Sequence, residues 1–240
     1  MTRIRSISQL LLIICITSNI KGQVPPRERS SDLMQMLDQL EEISQKEHIP
    51  GLMISIVKKD SILYAGGIGY ANIEERVRVD STTLFHLASV TKFFIAMGIQ
   101  KLVSEGKLDL NDKLREIAPE ISFINKWEST HPIRIIHLLE HTTGFEDIHL
   151  NKMVDTMRIS HSGIDAVNSL KNSFTSRWRP GERMSYSNPG YNILGYLIAK
   201  ITKMPWDQYL RISLLQPLGM QNTFFDLNGT IIFNFLLYMY

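Results

Sequence analysis

The chain has 240 residues, 26 Lys+Arg against 24 Asp+Glu for a formal charge of +2, 44% apolar residues, and a single cysteine, Cys15. This near balance, without any Lys/Arg stripe, excludes a nucleic-acid binder working by phosphate neutralisation, and the composition is neither disordered nor collagen-like. One cysteine leaves no intrachain disulfide framework and no cysteine-based zinc cluster, while the length allows one domain, or two, around a real core.

The first thirty residues differ from the rest. Arg3 and Arg5 precede the apolar run Leu10-Leu11-Leu12-Ile13-Ile14-Cys15-Ile16, and a polar stretch from Thr17 to Gln23 follows. This is the layout of a secretory signal peptide over residues 1–22, cleaved near Gly22/Gln23, and it predicts an exported protein, periplasmic or extracellular. The run is too short to span a bilayer, so the mature chain is expected to have no transmembrane domain. Ile14 is bulky where a lipoprotein signal has a small residue before its cysteine, which favours simple cleavage over lipidation. Residues 23–30, with Val24-Pro25-Pro26, read as a linker.

Leu33, Met36, Leu37, Leu40 and Ile43 then fall at helical spacing until Pro50-Gly51 stops them. Leu52 to Val57 and Ile62 to Tyr70 are β-prone runs around Lys58-Lys59-Asp60-Ser61, a hairpin. A very apolar helix is predicted from Phe93 to Val103, ending at Gly106. Further helices are expected over Ile133 to Glu140, Tyr191 to Ile201 and Trp206 to Leu215, the last stopped near Pro217 and Gly219. A helix, strands and then mostly helices make an α+β chain, with no solenoid repeat.

Candidate chemistry begins at Ser89-Val90-Thr91-Lys92. A serine three residues before a lysine, at the mouth of a buried helix, places both side chains on one face within a turn. The helix N-terminus favours a developing alkoxide, and a lysine in a dry pocket can take the serine proton. Composition alone yields about one Ser-x-x-Lys in such a chain, and a serine N-cap with a solvated lysine explains it equally well. Downstream, however, stands Tyr186-Ser187-Asn188, followed by Pro189-Gly190-Tyr191 and a helical pattern. A tyrosine oxygen beside an ammonium can shuttle the serine proton, and the asparagine amide can hold a substrate carbonyl together with the lysine.

Between the two lies Leu138-Leu139-Glu140-His141-Thr142-Thr143-Gly144-Phe145. With Phe85-His86-Leu87-Ala88, Gly106-Lys107-Leu108-Asp109-Leu110-Asn111-Asp112 and Gln216-Pro217-Leu218-Gly219-Met220, the chain resembles the serine β-lactamase-like family. That family groups class C β-lactamases, D-alanyl-D-alanine carboxypeptidases of the penicillin-binding type and related esterases, and the resemblance runs from about Leu33 to Phe225, with the motifs in order. It implies an antiparallel sheet flanked by helices with a helical subdomain, and two-step acyl-enzyme chemistry without a cofactor. The substrate would be a β-lactam, a D-Ala-type peptide or an ester. Carried over by position, Ser89 is the acylated nucleophile, Lys92 its proton partner, Tyr186 the second acid/base and Asn188 a substrate-orienting group. Either Lys92 or Tyr186 can take the first proton, and the two are expected to titrate as a pair. His141 to Gly144 read as a structural turn after a helix.

A rival pattern overlaps this stretch. His137-Leu138-Leu139-Glu140-His141 fits H-x-x-E-H, with two imidazoles at i and i+4 on one helix face and a glutamate as base, the kit of a zinc peptidase. The other histidines are scattered and read as surface or packing residues. The family's third motif, a Lys-Thr-Gly or His-x-Gly-like triplet on a late strand, does not follow Asn188, and Lys200-Ile201-Thr202 lies in a helical pattern. The expectation is therefore a β-lactamase-like domain over 31–228 that lacks the family's C-terminal strands, followed by an atypical apolar tail over 229–240. An inactive member acting as a binding or scaffold protein is the alternative from another functional class.

Overall fold

A computed structural model of the protein describes residues 31–85, 87–148 and 163–225. The expected signal peptide, linker and apolar tail lie outside these residues. Two compact units divide the chain, Met1–His86 and Leu87–Tyr240.

In the first unit, α1 spans Ser31–Lys46, with Asp32 in its first turn and Lys46 in its last, charges that suit the ends of the helix dipole. β1 (Gly51–Lys58) and β2 (Ser61–Asn72) form the expected antiparallel hairpin, in register from Gly51↔Gly69 to Lys58↔Ser61 with one irregularity after Ile56. Lys59 takes the left-handed conformation that the tight turn requires. A short third strand, β3 (Val77–Arg78), extends the sheet in the order β1-β2-β3. Sequence patterning does not signal it, because two residues are too few for a hydrophobic period. Val79 packs so closely on the hairpin that a Cβ at Gly67 would lie 2.3 Å from its Cγ1.

The second unit is helical. A 3₁₀ turn at Ala88–Val90 leads into α2 (Thr91–Ser104), whose Ile95, Ile99 and Leu102 are wholly buried. The helix ends as its Gly106 predicts. Gly106 is left-handed, its N–H donates to the Val103 carbonyl (3.0 Å), and the Lys107 N–H donates to the Leu102 carbonyl (2.9 Å). That pair of bonds is a Schellman cap. Short helices α3 (Leu114–Ile117), α4 (Ile135–Leu139) and α5 (Gly163–Asn168) follow, then α6 (Asn188–Thr202) and α7 (Trp206–Leu210).

Two expected helices are shorter than the sequence suggests. Ile133 stays outside the helix and Arg134 is extended, because the Ile133 carbonyl accepts from the Leu114 N–H (2.8 Å) and Lys113 bridges Arg134. α7 gives way at Arg211–Leu215 to a wider π turn, which a 3.6-residue period cannot distinguish. None of the helices among the described residues is long and apolar enough to cross a membrane.

α2 and α6 form the centre of this unit. Ile193, Leu194, Leu197 and Ile198 of α6 are wholly buried with the α2 residues, and α7 closes the third side. The closure depends on Gly98, where a Cβ would lie 2.4 Å from Leu210 Cδ2 and 3.1 Å from Ile198 Cδ1. Gly98→Val is therefore expected to overpack the α2–α7 contact and to cost about 1–3 kcal/mol. Denaturant unfolding should show a lower midpoint, whereas an unchanged midpoint would mean that α7 yields freely.

Candidate active site

Ser89 does not cap α2. The N-cap is Val90 and makes no side-chain cap bond, while Ser89 sits in the preceding 3₁₀ turn. Ala88 just before it has φ +46°, a conformation that L-residues with a Cβ seldom adopt. Such strain collects where a side chain must be aimed. The turn leaves Ser89 exposed and sets Lys92, half-buried in the first turn of α2, directly behind it.

Tyr186 and Asn188 arrive from the start of α6. Ser187 is the N-cap, accepting from the Gly190 N–H (3.3 Å), and Pro189 stands in the first turn, where its missing N–H costs nothing. Capping thus fixes the backbone on which both side chains ride. Ser89 Oγ and Tyr186 OH share a hydrogen bond of 2.6 Å. Lys92 Nζ donates to Ser89 Oγ (3.3 Å) and to Asn188 Oδ1 (2.5 Å), and lies 5.0 Å from the centre of the Tyr186 ring. All four residues singled out in the sequence meet here, although Ser89 and Tyr186 are 97 residues apart.

The asparagine differs in one respect from its expected use. Its Oδ1 is taken by Lys92, and its Nδ2 donates to Asp147 Oδ1 (2.9 Å), which also accepts from the Asn188 N–H (3.0 Å) and the Ile148 N–H (2.8 Å). Asp147 therefore sets the orientation of the amide, turning its oxygen towards the lysine. An NH₂ group has two hydrogens, so one remains for a substrate carbonyl.

The turn after α4 runs alongside the Tyr186-Ser187-Asn188 segment. The His141 carbonyl accepts from the Ser185 N–H (2.8 Å), His141 Nδ1 accepts from the Ser187 N–H (3.1 Å), and Ser187 Oγ donates to the Glu146 carbonyl (3.1 Å). The His141 ring lies between Tyr186 and Tyr191, with centroids at 4.6 and 5.1 Å. Thr143 and Gly144 behave as the turn the sequence suggests, with Gly144 at φ +77° and Thr143 Oγ1 accepting from the Phe145 N–H (3.2 Å). Asp147 is the site residue that sequence reasoning missed, while His141, read there as a turn residue or as a zinc ligand of the rival pattern, packs on Tyr186 and accepts from Ser187. Their sequence spacing from Tyr186 carries no signal; only the Glu-His-Thr-Thr-Gly stretch marked the neighbourhood.

Burial, reinforced by the Lys92 ammonium and opposed by Asp147, holds the His141 imidazole below its ordinary range. Burial and Arg134 do the same to His137.

The zinc-peptidase pattern fails on its helical premise. α4 ends at Leu139, Glu140 is its C-cap, and His141 turns away at φ +60°. The two imidazoles therefore do not share an i, i+4 face. His137 Nδ1 accepts from the Arg134 N–H (3.2 Å), and His141 Nδ1 is taken by Ser187. Among the described residues, no three His, Cys, Asp or Glu side chains come together as a metal-ligand set.

Comparison with known proteins identifies the family. The Beta-lactamase family model matches residues 36–230. Protein flp of Staphylococcus aureus is 32% identical over 201 residues, covering 83% of this chain and 40% of that protein. A putative D-alanyl-D-alanine carboxypeptidase of Salmonella paratyphi A is 31% identical over 189 residues, covering 74% of this chain and 44% of that protein. The octameric penicillin-binding protein homologue from Pyrococcus abyssi superposes with a TM-score of 0.74 at 29% identity, covering 82% of this chain and 45% of its own. The chain thus spans less than half the length of these relatives.

Proposed function

The chain belongs to the β-lactamase family, and from that premise we propose that it is a serine hydrolase that forms an acyl-enzyme at Ser89. The observation that carries the reading is the position of Ser89 Oγ between Tyr186 OH (2.6 Å) and Lys92 Nζ (3.3 Å). In the proposed first step Tyr186 acts as a phenolate, and as Oγ attacks a carbonyl carbon its proton passes to the phenolate oxygen while the new C–O bond forms. The Lys92 ammonium offsets the charge on that oxygen. The proton then goes to the leaving nitrogen or oxygen as its bond to the carbonyl breaks, leaving an ester on Ser89. Water takes the same route in reverse and releases the acid.

The substrate class proposed is a β-lactam, a D-Ala-type peptide or an ester. The names of the Salmonella carboxypeptidase and the Pyrococcus penicillin-binding homologue support the first two. The test is intact-mass and peptide-level mass spectrometry after incubation with a penicillin-type compound and, separately, a serine-directed acylating ester. A single adduct on the Ser89 peptide is expected, and an adduct confined to another residue would overturn the reading.

Export is proposed with it, on the basic flank and short apolar core of residues 1–22. N-terminal sequencing of secreted material should begin between Gly22 and Arg29. Recovery of intact protein starting at Met1 from the cytoplasm alone would refute export.

A further inference from the structure

Among the described residues outside the four motif residues, the titratable side chain of His141 touches both the tyrosine and the backbone that carries the asparagine. His141 leaves α4 in the left-handed conformation, φ +60°, which sends its ring between Tyr186 and Tyr191. Its Nδ1 accepts from the Ser187 N–H at 3.1 Å. Ser187 is only 1% exposed, so water is no ready substitute for that acceptor. A neutral imidazole accepts at one nitrogen and carries its hydrogen on the other, which puts the hydrogen on Nε2. A proton added at Nδ1 would set two donors face to face.

We propose that His141 is a positioning residue that, in its neutral Nε2–H form, latches Tyr186-Ser187-Asn188 against Ser89 and Lys92, and that its protonation opens the latch and slows acylation. The inference rests on the hydrolase reading and concerns the same site. Among the described residues, the titratable groups that face the ring are Lys92 from α2, Tyr191 from α6, Tyr186 from the segment before it, and Asp147 from the ring's own loop. Lys92 disfavours a second positive charge and Asp147 favours one. Burial adds to the effect of Lys92, so the ring titrates below the ordinary histidine range and the latch stays closed at neutral pH. It opens in acid.

The test uses the full chain in three forms: wild type, His141→Asn and His141→Phe. Asparagine places an oxygen close to the position of Nδ1, an acceptor that does not titrate, whereas phenylalanine keeps the stacked ring and removes the acceptor. Acylation by a penicillin-type compound is followed by mass spectrometry from about pH 4.5 to 8, the span over which a histidine changes charge. Ring nitrogen NMR and Ser187 amide exchange are measured in parallel. Wild-type acylation should fall in acid along the His141 titration, with Ser187 exchange rising in step. His141→Asn should lose that acid limb while remaining within about tenfold of wild type at neutral pH, and His141→Phe should be slowed about a hundredfold at every pH with little change in ligand affinity, as for a misplaced reacting group.

An unchanged acid limb in His141→Asn, or wild-type rates in His141→Phe, would overturn the latch. A hydrogen on Nδ1 at neutral pH would do the same. Should His141→Phe fail to fold, the pH profile of His141→Asn decides. A wild type that forms no adduct counts against the hydrolase reading, and the ring tautomer and Ser187 exchange then decide the latch without it.

Discussion

Ser89→Ala is expected to abolish the covalent adduct altogether. The substitution removes one oxygen from an exposed turn, so the fold has little reason to suffer. Ser89 makes no cap for α2, and the buried residues Ile95, Ile99 and Leu102 lie beyond it along the helix. What disappears is the hydroxyl that meets both Tyr186 OH and Lys92 Nζ. Mass spectrometry of the Ser89→Ala variant after incubation with the penicillin-type compound should show the unmodified mass, with an unfolding midpoint close to wild type. Persistent labelling would place the nucleophile elsewhere and return Ser89 to the status of a turn residue.

Lys92→Ala and Tyr186→Phe should each slow acylation by about a hundredfold or more, the ordinary scale for removing a group that moves or stabilises a proton in the transition state. The two losses differ in kind. Tyr186→Phe removes only the oxygen at 2.6 Å from Ser89 Oγ and keeps the ring that stacks on His141, so ligand affinity should hold while the acylation rate falls. Lys92→Ala also frees Asn188 Oδ1 and removes the cation beside the tyrosine ring, so both affinity and rate should decline. Because the two groups act on one proton, the double variant should be little slower than the worse single one. Single-turnover acylation of the three proteins checks this, and full additivity would argue for independent roles.

The parts of this architecture that were legible in the sequence are those written in local chemistry. The α1 helix, the Lys59-Asp60 hairpin and the Gly106 cap each depend on residues within a few positions of one another, and each forms where expected, although Ile43 of the α1 stripe is exposed. The four site residues were legible for a different reason, since two short motifs carry the resemblance and their spacing does not matter. His141 looked like part of a turn because Thr143 and Gly144 beside it really do make one. Its packing on Tyr186 depends on how α4 meets α6, which no local pattern encodes. Asp147 was silent as well, because an exposed aspartate in a loop is unremarkable until its oxygen is found between an asparagine's backbone and side-chain nitrogens. α4 was overestimated because a β bridge at Lys113 and Arg134 takes backbone that an apolar run would otherwise have made helical.

Under the proposed chemistry, the separation of 97 residues between Ser89 and Tyr186 also bears on when the serine becomes reactive. Closing so long a loop costs chain entropy before any contact rewards it. The contacts that repay that cost are the buried faces of α2 and α6, not the hydrogen bond itself. On a chain growing from its N-terminus, Ser89 and Lys92 emerge as a bare helical turn, and the tyrosine that completes them is made much later. On that proposal, Ser89 is an ordinary alcohol until α6 docks. A serine-directed probe would therefore count folded molecules, and labelling applied during refolding would time the docking of α6 on α2 without any separate reporter of structure.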